Sequence, residues 1–205
     1  MGSPRTERIA FLRGFLQHPQ QVGSIIPSSP FLERRIARLA EVERARVVVE
    51  LGPGTGGTTR ALLRAMRHDA RLLCFELNPL FHDIVSRIDD PRLILHHGSA
   101  EELRRVMAQH GLDGADAVVS GIPFSTMPPA VANRILDAIY GALVPGGRFV
   151  AYQVRGHVET FSRPYFGRAQ VDVELLNIPP VRIYRWEKRL VPHAVAATTA
   201  VRAAR

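Results

Sequence analysis

The chain is short of cysteine, lysine and long apolar runs, and each shortage excludes something. Cys74 is the single cysteine in 205 residues, so no internal disulfide can form and a reducing compartment fits. No stretch approaches the roughly 18 uninterrupted apolar residues that a membrane-spanning helix needs. The N-terminus is charged and carries no apolar h-region, so no secretory signal is read there. The expected address is the cytoplasm, extending to a peripheral position at the inner membrane face. There is no fixed-period repeat, low-complexity block or interdomain linker, and no obligate protein partner is evident. One domain is expected, with 46% apolar and 22% charged residues.

Lysine is nearly absent: Lys188 stands alone against 26 arginines, yet the formal net charge is +8. Residues 1–46 hold eight arginines against four acids, and residues 147–205 hold ten basic residues against four acids. The middle of the chain is close to balanced. A basic excess at both ends suits an anionic partner, either a membrane surface or, second, nucleic acid. A solvated arginine-rich surface with no partner is the plain alternative.

Residues 5–17 read as an amphipathic helix, with Ile9, Leu12, Phe15 and Leu16 at helical spacing and Arg5, Arg8 and Arg13 on the flanks. A turn-rich segment, 22–30, then ends in Ser29 as N-cap and Pro30 as first helical residue, predicting a helix to about Leu39. From Arg46 the pattern alternates. Apolar runs at 47–51, 71–76, 92–96, 115–119 and 147–153 read as strands, with helical stretches near 57–67, 79–88, 99–109 and 130–142 between them. Segments 170–176 and 181–187 alternate like two antiparallel strands. The fold class is therefore α/β: a Rossmann-like, seven-stranded, mostly parallel sheet with helices on both faces, an antiparallel last strand and N-terminal helices. The expected layout is an N-terminal lid or membrane-contact segment (1–45), a core (46–190) and a tail (191–205).

The strongest motif follows the first strand: Glu50-Leu51-Gly52-Pro53-Gly54-Thr55-Gly56, then a helix. Glycines at alternate positions allow a tight turn and close approach of a ligand to the backbone. The amides at the helix start then face that ligand. A dinucleotide loop runs G-x-G-x-x-G and cradles a pyrophosphate. Here the spacing is G-x-G-x-G behind an acid, which repels a pyrophosphate but suits a cationic amino group such as that of S-adenosylmethionine. Glu76, at the end of the second strand, is placed to accept ribose hydroxyls, with Leu77 beside it. After the third strand Ser99 is a helix cap, and with Ala100 it would reach an adenine ring. The fourth strand ends in Ser120-Gly121-Ile122-Pro123-Phe124, a loop that borders the glycine loop in this topology. His96 and His97 suggest metal only weakly, since no third ligand has a recognisable spacing, and none is assigned.

On these residues the 47–150 region resembles the class I S-adenosylmethionine-dependent methyltransferases. The resemblance implies Glu50, Gly52, Pro53, Gly54, Thr55 and Gly56 around the methionine end, Glu76 and Leu77 at the ribose, Ser99 and Ala100 at the adenine, and Ser120 beside the methyl group. Segments 11–13, 22–30, 120–123 and 179–185 extend it to the bacterial phospholipid N-methyltransferases, which methylate the amine of phosphatidylethanolamine. It touches the ribosomal RNA adenine dimethylases less well. Those place Asn or Asp after the fourth strand, where this chain has Ser120-Gly121. A soluble small-molecule substrate and a non-catalytic binding module are further readings. For amine transfer, Ser120 and the carbonyls of Gly121 and Ile122 are expected to position the acceptor. Tyr152, His157 and Tyr165 are candidate proton acceptors. Ser24, Ile25, Pro123, Phe124 and Arg155 are expected to shape the acceptor site.

Overall fold

The computed structural model describes residues 28–154 and 156–189. The helix expected over 5–17, Ser24, Ile25, Arg155 and the tail from Val191 lie outside them. In chain order come α1 (Pro30–Leu39), β1 (Val47–Leu51), α2 (Gly57–Ala65), β2 (Arg71–Glu76), α3 (Pro79–Val85) and β3 (Leu93–His97). A 3-10 turn (Ala100–Glu102) leads into α4 (Leu103–Gln109) and β4 (Ala115–Ser120). A second turn (Phe124–Thr126) leads into α5 (Pro129–Ala142), β5 (Leu143–Gln153), α6 (His157–Phe166), β6 (Gln170–Glu174) and β7 (Val181–Glu187). The strands form one sheet in the order β3-β2-β1-β4-β5-β7-β6. Six strands run in one direction, and β7 alone runs antiparallel, to both its neighbours.

Local chemistry sets the elements. Ser29 caps α1 by accepting from the Leu32 amide, with Pro30 at the first position. Asn78 does the same for α3 through the Leu80 amide. Strand β1 lies between β2 and β4 and is covered on both faces, which is why it reads as a continuous apolar run. One layer of core packs Val49, Leu51, Phe75, Val118 and Phe149 under α4, α5 and α6. The other packs Val48, Leu72, Cys74, Val119 and Val150 with Leu32, Ile36 and Leu62 of α1 and α2.

Two elements depart from the sequence expectation. Strand β5 begins at Leu143, four residues early, because α5 runs straight into it. The Val144-Pro145-Gly146-Gly147 stretch within it is absorbed by a register shift opposite Ala115–Ala117. Helix α6 was not expected. It tolerates Pro164 because that residue sits in the last turn, on the exposed side, while Val158, Ser162 and Phe166 face inward.

Candidate active site

Strand order reverses between β1 and β4, and ligands of open parallel sheets settle in that crevice at the carboxyl ends of the strands. The loops that leave there are tied to the sheet. The Gly52 amide donates to the Phe75 carbonyl, and the Gly121 amide to the Leu51 carbonyl, each at 2.9 Å. Gly52, Gly54 and Gly56 all have positive φ (74°, 56° and 80°), so the loop needs glycine on conformational grounds. At Gly52 a Cβ would also stand 2.7 Å from the Ile122 side chain, so the loops after β1 and β4 touch.

Glu50 is fully buried at the end of β1. Its Oε2 accepts from the Thr59 hydroxyl at 2.7 Å and the Cys74 thiol at 3.3 Å. Its Oε1 has no partner and no contact with solvent. Burial pushes its pKa up to about 7, partly offset by the bonds from Thr59 and Cys74. A buried carboxylate with one vacant oxygen is a receptor for a cation, which fits the ammonium of a methionine moiety. Glu76 is also buried. Its Oε1 accepts from the Leu77 and Asn78 amides, and its Oε2 from the Gly54 amide at 3.1 Å. The free lone pair on Oε2 leaves room for a ribose hydroxyl. The carboxylate thereby joins the second strand to the glycine loop, a link that spacing alone does not reveal.

The end of β4 carries the residues expected on the acceptor side. Ser120 is completely buried and its Oγ has no partner. A Cβ on Gly121 would meet the Tyr152 hydroxyl at 2.5 Å, its Cζ at 2.9 Å and the Gly52 carbonyl at 3.0 Å. Tyr152 therefore occupies the space beside Gly121 where a side chain would otherwise project. Its hydroxyl lies 3.3 Å from Thr58 Oγ1 and is hydrogen-bonded with Ser28. Burial, with the nearby Glu50 carboxylate, raises its pKa well above that of an ordinary phenol. Tyr152, a candidate proton acceptor, thus stands beside Gly121, in surroundings that favour its neutral phenol form.

Gln153 was missed. Its Nε2 donates to the Ile122 carbonyl at 2.6 Å, and its buried Oε1 has no partner. A glutamine at a strand end carries no sequence signal for this, because the contact spans 31 residues. It fixes the loop that carries the expected acceptor carbonyl. Gln153→Ala is expected to lower kcat about tenfold with donor affinity unchanged, measured by steady-state rates and calorimetry; equal kcat would remove Gln153 from the site.

The remaining expected residues divide. Pro53 is buried and Thr55 exposed within the glycine loop, and Ala100 is buried. Ser99 caps its turn through the Glu101 amide and donates to the Glu101 carboxylate. Pro123 is half-buried in the loop. Phe124, expected to help shape the acceptor site, is buried at 0% exposure and packs in the core with residues of α5 and α6. His157 is exposed at the start of α6, and the Tyr165 hydroxyl donates to the Asn133 carbonyl. Neither residue has a contact placing it with Gly121 or Ser120. His96 lies 3.4 Å from Glu102 and His97 3.3 Å from the Leu77 carbonyl. Among the described residues no group of three or more metal-ligating side chains gathers.

Comparison with known proteins gives this geometry its family. The chain is 31% identical over 177 residues to an ornithine lipid N-methyltransferase of Singulisphaera acidiphila, covering 85% of this chain and 92% of that protein. The chain is a class I S-adenosylmethionine-dependent methyltransferase. A ribosomal RNA small subunit methyltransferase A of Caulobacter vibrioides is 39% identical over 103 residues, but these cover only 49% of this chain and 38% of that protein. The crystal structure of TrmN from Thermus thermophilus superposes with a TM-score of 0.67 at 15% identity, covering 84% of this chain and 53% of that one. No family model matches.

The methyltransferase's donor is S-adenosylmethionine, and the crevice fits it on its own chemistry. Glu50 Oε1 is left without a partner for an ammonium and Glu76 Oε2 has a lone pair for the ribose. Bound donor supplies an electrophilic methyl on a sulfonium. Among the described residues no helix is long and apolar enough to cross a membrane.

Proposed function

We propose that this methyltransferase acts on the amine of a membrane-lipid head group, such as phosphatidylethanolamine. The observation that carries the reading is Tyr152 filling the space beside Gly121. Nucleobase amine methyltransferases usually place Asn or Asp after β4 to hold a planar exocyclic amine, and here the space beside Gly121 belongs to a phenol. The near end-to-end likeness to a lipid N-methyltransferase supports it.

The residues divide the work as follows. Glu50 holds the donor's ammonium and Glu76 its ribose. An aliphatic amine must be neutral to attack, and a water-poor pocket favours the neutral form. Ser120 Oγ and the Gly121 carbonyl accept its N–H bonds, Tyr152 orients it, and its lone pair is left facing the methyl group for in-line displacement. Residues 1–45, whose 5–17 stretch is amphipathic in sequence, serve as a lid or membrane-contact segment, and residues 46–190 form the methyltransferase core. The setting is cytoplasmic, at the inner face of a membrane.

The test is transfer of labelled methyl groups to phosphatidylethanolamine or ornithine-lipid liposomes, beside parallel reactions with ribosomal RNA and a soluble metabolite extract. Label in the lipid is the expected result. Label confined to RNA would establish the second reading, which the Caulobacter likeness favours. Label in soluble amines alone would replace both.

A further inference from the structure

Among the described residues, five of the nine exposed large apolar side chains lie on β6 and the segment that joins it to β7; Phe31 is a sixth, and Leu80, Ile84 and Val154 are the others. The six residues joining β6 to β7 include Leu175 at 71% exposure, Leu176 at 61% and Ile178 at 90%, followed by exposed Pro179 and Pro180. Val171 and Val173 of β6 are exposed as well. Folding gains nothing from large aliphatic groups held in solvent, and a contiguous patch of this kind marks a docking surface. Its position is informative. Because β6 runs with the parallel strands, its carboxyl end lies at the sheet edge that carries the glycine loop, Glu76, Ser120 and Tyr152.

The start of α1 adjoins this tip. Asn177 is buried within the tip, and its Oδ1 accepts from the Ser29 amide at 2.8 Å. Phe31, half exposed, follows two residues later, with the Arg34 guanidinium 5.1 Å above its ring. Arg38, one turn on, and Arg182, opposite Val173 on β7, are also exposed. The two acids of β6 are neutralised: Arg35 binds Asp172 at 2.8 Å and Glu174 at 3.3 Å. An apolar tip inside a collar of free arginines, its own acids already paired, is the pattern of a surface that enters the head-group boundary of an anionic bilayer.

We propose that the β6–β7 tip (Leu175, Leu176, Ile178), with Phe31 and the collar of Arg34, Arg38 and Arg182, is a docking surface for an anionic lipid bilayer. The proposal rests on the lipid-amine reading for its purpose but not for its test. Co-sedimentation with phosphatidylglycerol–phosphatidylcholine vesicles, which contain no methylatable amine, measures docking alone. Wild type is expected to bind these vesicles and to bind pure phosphatidylcholine at least tenfold more weakly. The triple variant Leu175→Ser, Leu176→Ser, Ile178→Ser is expected to lose at least tenfold in binding while its donor affinity and melting temperature stay unchanged. Arg34→Glu with Arg182→Glu should weaken binding comparably and flatten its salt dependence. Wild-type vesicle binding by the triple variant would overturn the proposal and move docking to another part of the chain. A wild-type protein that ignores anionic vesicles, or a dimer that the triple variant abolishes, would overturn it equally. Failure of methyl transfer to lipid with vesicle binding intact would refute the lipid-amine reading and leave the docking surface standing.

Discussion

Replacing Glu50 by Gln is expected to stabilise the donor-free protein at pH 8 while removing donor binding. Glu50 has a folded pKa of about 7 against an ordinary 4.5, and burial is the main cause. The sign follows from linkage. Between these values the unfolded chain releases the proton and the folded chain keeps it, so stability falls as pH rises through 4.5 toward 7. Above 7 the destabilisation is complete, at about 3 kcal/mol for a shift of this size. Gln carries no charge, keeps an oxygen for Thr59 and Cys74, and removes the dependence. Thermal unfolding at pH 8 should show the variant more stable by up to about 3 kcal/mol, and at pH 5 by less than about 1 kcal/mol. Calorimetry at pH 8 should show donor affinity falling by at least about a hundredfold, the scale for stripping one partner from a buried charge pair. Wild-type affinity in the variant would refute the placement of the ammonium. In the native enzyme, donor affinity should climb as pH rises to about 7, because the carboxylate is the form that binds.

The second large effect is expected at Gly121. Its φ is not positive, so an alanine there is not strained by its backbone; the obstacle is Tyr152, whose Oη and Cζ stand 2.5 and 2.9 Å from the new Cβ. Neither is the loose end of a flexible chain. The ring is held between β5 and Thr58, and the Gly52 carbonyl blocks the other direction at 3.0 Å. Gly121→Ala must therefore shift the phenol or the glycine loop. Sub-ångström errors in a methyl-transfer geometry cost orders of magnitude in rate. A loss of kcat of about a hundredfold is expected, with a smaller effect on donor affinity. Gly121→Ala with Tyr152→Phe should regain thermal stability and not rate. A rate near wild type in the single variant would show that the space beside Gly121 is unused.

These two sites differ in how far the sequence exposes them. Glu50 is legible because its signal is local: an acid, alternate glycines and a helix within a dozen residues. The strands are legible for the same reason, since a parallel strand buried on both faces is a continuous run of Val, Leu and Ile. Tyr152 was nameable only as a polar residue at a strand end. Its partners Thr58 and Ser28 are about a hundred residues away, and no spacing rule links them. Gln153 was silent on the same grounds. The burial of Phe124 is not legible either, because the 3-10 turn after β4, which sets it into the core, has no periodicity to announce it. Helix α6 was hidden by Pro164 and by glycines on either side, although Val158, Ser162 and Phe166 keep a helical period.

The reversal of β7 gives the enzyme a sidedness. The tip and the carboxyl ends of the catalytic strands leave the sheet together, so a molecule resting on that tip turns its crevice toward the bilayer. On the proposed lipid-amine function its two reactants would arrive from different phases: the donor by diffusion through water in three dimensions, the lipid by lateral movement in two. Turnover on such a surface follows the mole fraction of acceptor in the membrane rather than its bulk concentration. Diluting the acceptor with inert lipid is then expected to slow the enzyme even when the total amount of acceptor is unchanged.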